Sequence, residues 1–139
     1  MKYLSLILVS ILLLSFSACA LGKIKSEALE FVVSAPEKSG AAVKNSLTKA
    51  FKSLCREAAI VADGHINGTV KPEATKKQLY DITERMVAEY ENLDEGDAEK
   101  LGWGAVSCVM MLHDYVYKDS VEDKTMFKEW RDILYKLSE

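Results

Sequence analysis

An all-α fold, a compact bundle of four to five helices, is the class this chain predicts, and three observations predict it. Apolar residues recur at three- and four-residue spacing over most of the sequence, which is the repeat of a single buried helix face. Polar, glycine-bearing stretches at 63–68 and 92–97 interrupt that repeat and separate the helices. Only Ser26 to Ser34 reads ambiguously, as a short helix or a strand, before Pro36 ends it.

The first element is not part of the bundle. Met1 and Lys2 give a cationic start, Leu4 to Phe16 is apolar apart from serines, and Ser17-Ala18-Cys19-Ala20 is a run of small residues. This is the three-part layout of a secretory signal. The apolar run is shorter than the about 20 residues a membrane span needs. Residues 1–20 are therefore expected to be a removable signal and 21–139 a single helical domain. Two cleavage modes stay open. Ala18-Cys19-Ala20 suits a cut after Ala20, leaving a soluble periplasmic protein. Phe16-Ser17-Ala18-Cys19 resembles the bacterial lipobox, in which Cys19 would be lipidated and tether the protein to the membrane, with Phe16 where leucine is usual.

Within the mature part, the repeat from about 38 to 62 carries Val43, Leu47, Ala50, Phe51, Leu54, Cys55, Ala58, Val61 and Ala62 on one face. Asp63-Gly64-His65-Ile66-Asn67-Gly68 is expected to end that helix, since its two glycines accept positive φ. Pro72 suits the first turn of the next helix and Glu73 its dipole. Leu79, Ile82, Met86, Val87 and Tyr90 form the buried stripe there. Asp94 or Asp97 is expected to cap a helix bearing Leu101, Ala105, Cys108, Val109, Leu112 and Val116. Ser120 and Asp123 resemble a capping box for a last helix with Met126, Phe127, Trp130, Ile133, Leu134 and Leu137 inward.

Charge and cysteine content narrow the setting. Loss of residues 1–20 removes Lys2 and no acid, taking 18 basic and 21 acidic residues to 17 and 21, a net −4. A weakly acidic domain has no general attraction for nucleic acid or anionic lipid. If Cys19 is lipidated or removed, Cys55 and Cys108 remain as an even pair. In an oxidising compartment such a pair is expected to form a disulfide, and a loop of that length is credited with about 4 kcal/mol. The alternative is two buried thiols that pack as small hydrophobes.

Reactive chemistry is sparse. The sequence carries no His-Glu-x-x-His, Cys-x-x-Cys, nucleophile-elbow or phosphate-loop pattern, and only two histidines. His113 and Asp114 are adjacent, so on a helix they should point about 100° apart and make a poor orienting pair. Asp63 and His65 read as polar turn residues more readily than as metal ligands. No metal, cofactor or catalytic residue is expected. Candidate partner-binding residues are Glu91, Asp94, Glu95 and Asp97, an acidic cluster suited to a basic partner. Trp103, between Gly102 and Gly104, either fills the core or meets a partner. Lys49, Lys52 and Arg56 form a basic flank that is either solvated or faces the acids.

Cys55 on a helix, the breaks at Gly64 and Gly68, and Pro72 ahead of Gln78-Leu79 form one recognisable series. Tyr90, Ala98-x-x-Leu101 and Ala105 before Cys108 continue it. This stretch resembles the small helical periplasmic immunity proteins that neutralise amidase effectors of type VI secretion. The further cysteines of that family are missing, and the helix at 120–137 lies beyond the likeness. The resemblance implies an all-α fold that inhibits by plugging an enzyme's active site. The expected function is thus that of an exported envelope protein that binds another protein. A structural lipoprotein, or a small-ligand carrier or enzyme with His65 or His113 at the rim of a pocket between helices, is the alternative.

Overall fold

Helical spacing and helix-ending residues together produce four helices among the described residues. The computed structural model describes residues 46–139; the signal segment, both cleavage sites, Cys19, the element at 26–34 and the first part of the 38–62 repeat lie outside them. The four are α1 (Lys49–Ile66), α2 (Pro72–Tyr90), α3 (Asp97–Tyr115) and α4 (Val121–Ser138). Among the described residues there is no strand.

Each helix starts for a local reason. Thr48 accepts a hydrogen bond from the Phe51 N–H at 3.1 Å and opens α1, while its hydroxyl donates to Glu89 at 3.2 Å, tying α1 to the end of α2. Pro72 opens α2 with Glu73 in the first turn, as expected. Ser120 caps α4: its Oγ accepts from the Asp123 N–H at 3.0 Å and donates to the Asp123 carboxylate at 2.6 Å. Neither Asp94 nor Asp97 caps α3. Gly96, at φ +95°, is the cap residue, and Asp97 is the first helical residue, with no side-chain cap bond. The acids there act on the helix dipole instead.

The predicted break at Asp63 and Gly64 also falls later than expected. α1 runs on to Ile66 and ends at Asn67, with Gly68 at φ +70°. Gly64 is kept in the helix by tertiary contact. Its carbonyl accepts from the Thr69 and Val70 N–H groups and from the Thr69 hydroxyl, at 2.9, 3.0 and 3.1 Å. The turn therefore folds back so closely that a Cβ at Gly64 would lie 2.6 Å from Val70 Cγ2.

Short connections make consecutive helices antiparallel neighbours, and α4 closes against α1, giving an up-and-down four-helix bundle. The predicted stripes of α2, α3 and α4 supply its centre, with Leu79, Ile82, Met86, Leu101, Val109, Leu112 and Leu134 almost wholly buried. Ala50 is exposed, and Ala59, absent from the predicted face, is buried. Two buried polar side chains are satisfied within their own helices: Thr75 donates to the Lys71 carbonyl and Ser107 to the Trp103 carbonyl. Arg131 and Tyr135 of α4 both donate to the Asp63 carboxylate of α1, Arg131 at 2.7 Å.

The expected disulfide is not formed. Cys55 and Cys108 are free thiols, each fully buried. Their helices, α1 and α3, face each other across the diagonal of the bundle and touch less than any adjacent pair does. Burial pushes the Cys55 thiol up to about 12 and the Cys108 thiol higher, the second also opposed by charge on Cys55. Both behave as small core hydrophobes.

Candidate functional site

A continuous aromatic face runs along the α2/α3 pair. On α2 the positions Lys76, Tyr80, Thr83, Val87 and Tyr90 repeat at three and four; on α3 Trp103, Met110 and His113 follow after one seven-residue step, and Tyr117, in the turn just past α3, continues the row. The helices place these two rows side by side. Tyr90 meets Trp103 edge-on at 6.3 Å, Tyr80 lies 6.3 Å from His113, and the Lys76 ammonium sits 5.5 Å from the centre of the Tyr117 ring. Tyr80 and Tyr117 are each more than half exposed, and Val87, Tyr90, Trp103 and Met110 are partly buried against the core.

The phenols of this face are anchored by carboxylates. Tyr80 is paired with Glu84, Tyr90 with Glu99 and Tyr117 with Glu73. For Tyr90, burial first and then Glu99 push the phenol up to about 12. For Tyr80 the Glu84 charge dominates the upward shift, and for Tyr117 burial does.

The acidic cluster borders the Trp103 end of this face. Glu91, Asp94, Glu95 and Asp97 are all exposed, on and beside the α2–α3 connection. Leu93 folds that connection down over Gly102, where a Cβ would lie 2.3 Å from the Leu93 side chain, so the missing side chain at Gly102 is what lets the connection sit close. Trp103 is half-way between the two expectations: it packs on Tyr90 and keeps part of its ring open. Among the described residues, Lys49, Lys52 and Arg56 form no ion pair with the acids; the basic side chain of this region that does pair is Arg85, with Glu57 at 2.7 Å.

The two histidines differ from their sequence reading. His113 Nδ1 and Asp114 Oδ1 are 3.1 Å apart, because exposed side chains at a helix surface can turn toward one another despite their 100° offset. His65 lies within α1, its ring tilted against Phe127 at 5.2 Å, and its neighbour Asp63 is taken up by Arg131 and Tyr135. Among the described residues no three His, Cys, Asp or Glu side chains converge on a metal-sized site, and no helix is long and apolar enough to cross a membrane. The aromatic face itself was missed in the sequence. Its signal was present as a three-and-four repeat on α2 and α3; Val87 and Tyr90, expected in the buried stripe of α2, are only partly buried and belong to this face.

No family model, curated protein or solved structure matches this chain. Its surface chemistry therefore stands as the guide to its action.

Proposed function

We propose that this chain is an exported protein of the cell envelope that acts by binding another protein through the α2/α3 face. The observation that carries the reading is the alignment of Tyr80, Tyr90, Trp103 and Met110 on two adjacent helices, with Tyr117 in the turn just past α3. Tyrosine, tryptophan and methionine are the residues that protein interfaces concentrate. Glu91, Asp94, Glu95 and Asp97 at one end of the face specify a partner whose rim is basic. Export rests on the signal-like segment 1–20, and either soluble release or a lipid at Cys19 leaves the domain outside the cytoplasm. An immunity or inhibitor protein that covers the active site of an envelope amidase is the best-specified form, supported by the likeness over 55–108.

A photoreactive amino acid placed in turn at 80, 103 and 49 in the exporting cell tests this. Cross-links to one partner are expected from 80 and 103 and not from 49. With that partner purified, joint neutralisation of Glu91, Asp94, Glu95 and Asp97 should slow association about tenfold at low salt and flatten its salt dependence. Equal cross-linking from all three positions, or unchanged association kinetics, would remove the face from the account.

A further inference from the structure

The end of the bundle opposite the acidic cluster holds a cavity of about 570 Å³, open to solvent, where α1 and α3 end and α2 and α4 begin. That volume falls within the range of small-molecule sites. One wall is aromatic: His65 against Phe127, and Tyr115, which meets Trp130 edge-on at 4.8 Å. The rim is cationic, with Lys118, Lys124 and Lys128 set against Asp119 as the lining carboxylate. Asp119 is engaged by Lys124 at 2.6 Å. Among the described residues neither Lys118 nor Lys128 has a carboxylate partner, and the Lys118 ammonium lies 5.4 Å from the Tyr115 ring centre.

His65 also lines the cavity, and among the described residues its buried Nδ1 has no hydrogen-bond partner. The Asp63, Gly64 and His65 carbonyls at the end of α1 are already used, since the residue 67–70 N–H groups bond to them. Carboxylates near this end but outside the cavity lining are used as well: Glu73 by the Tyr117 phenol and Asp123 by Ser120. What faces the cavity is therefore an excess of ammonium groups over carboxylates beside aromatic rings.

We propose that this cavity binds a small organic anion built from an aromatic ring and a carboxylate or phosphate head. The ring lies against His65, Phe127 and Tyr115, and the head meets the Lys118 and Lys128 ammoniums. The site shares Tyr117 with the α2/α3 partner surface, but Lys118, Lys128, His65 and Phe127 lie off that surface, so loss of ligand binding in a lysine variant and loss of cross-linking at 80 and 103 are separate outcomes.

NMR titration of the full chain, as processed by the exporting cell, tests the site with four probes: phenyl phosphate, benzoate, inorganic phosphate and benzyl alcohol. Phenyl phosphate or benzoate is expected to shift resonances of 65, 115, 118, 127 and 128 in a saturable way. Its affinity should exceed that of inorganic phosphate and benzyl alcohol at least tenfold, and whichever of the two binds tighter names the head group. The Lys118→Gln/Lys128→Gln double variant, at exposed positions, should keep its melting temperature and lose about tenfold in affinity. The proposal is overturned if neither two-part probe saturates by 10 mM, if the shifts scatter over the surface, or if the double variant binds as well as the parent.

Discussion

Asp63 braces two helices with one carboxylate. Burial alone would raise its pKa, but the hydrogen bonds from Tyr135 and Arg131, with the Arg131 charge, more than offset this and hold it below the usual 3.8. A carboxyl with a lowered folded pKa stabilises the protein wherever the unfolded form is also ionised, and that contribution disappears as the pH falls through the folded value. Stability from this site is therefore full above about pH 5 and lost on acidification past the ordinary aspartate value. Asp63→Asn should cost about 1–2 kcal/mol at pH 7, because Arg131 and Tyr135 lose a charged acceptor. The cost should shrink toward zero near pH 2, which urea unfolding at the two pH values would measure. An equal cost at both would mean that the carboxylate charge plays no part. Tyr80, Trp103 and the other aromatic positions were readable as residues, but their sharing of a face depended on how α2 lies along α3.

The α1–α2 connection shows how an element ends. Helical spacing stopped near Ala62 in the sequence, yet α1 continues for another turn because the chain after it folds back onto Gly64. Alanine at 64 would gain about 1 kcal/mol of helix propensity. Its Cβ, 2.6 Å from Val70 Cγ2, would also overpack a stiff β-branched side chain, at a cost of about 1–3 kcal/mol. The net expectation is a loss of about 1 kcal/mol, seen as a lower urea midpoint with unchanged slope. Val70→Ala in the same background should restore part of it. A midpoint raised by Gly64→Ala alone would show that the turn yields without cost. The starts of α2 and α4 were legible because Pro72 and Ser120 act through their own backbone neighbours. The start of α3 was not, since Gly96 rather than an aspartate adopts the positive φ needed there.

Across the whole molecule, Cys55 and Cys108 report on cooperativity. Both are fully buried on helices that oppose each other in the core, and burial keeps both thiols protonated. Thiol reagents attack the thiolate, so labelling at pH 8 should require opening of the bundle. We expect the native protein to react at least about 1,000-fold more slowly than the urea-unfolded chain, with both cysteines modified at one rate. Rapid labelling of a single cysteine would show that one helix detaches without the rest. The molecule is also divided by surface chemistry along its length, with the acidic cluster and Trp103 at one end and the lysine-rimmed cavity at the other.

The sequence alone determined the all-α class, most of the stripes that became the core, the start of α2 at Pro72 and the cap of α4 at Ser120. These depend on periodicity and on bonds between near neighbours, which local order specifies. Tertiary structure alone decided the state of the two cysteines, the persistence of α1 through Gly64, the Asp63 brace, the aromatic face and the cavity. Most of these join residues on different helices, and the fold-back onto Gly64 joins a helix to the connection after it, so each depends on how closely separate stretches of the chain approach. Spacing within a helix says which side is apolar. It does not say what that side will meet.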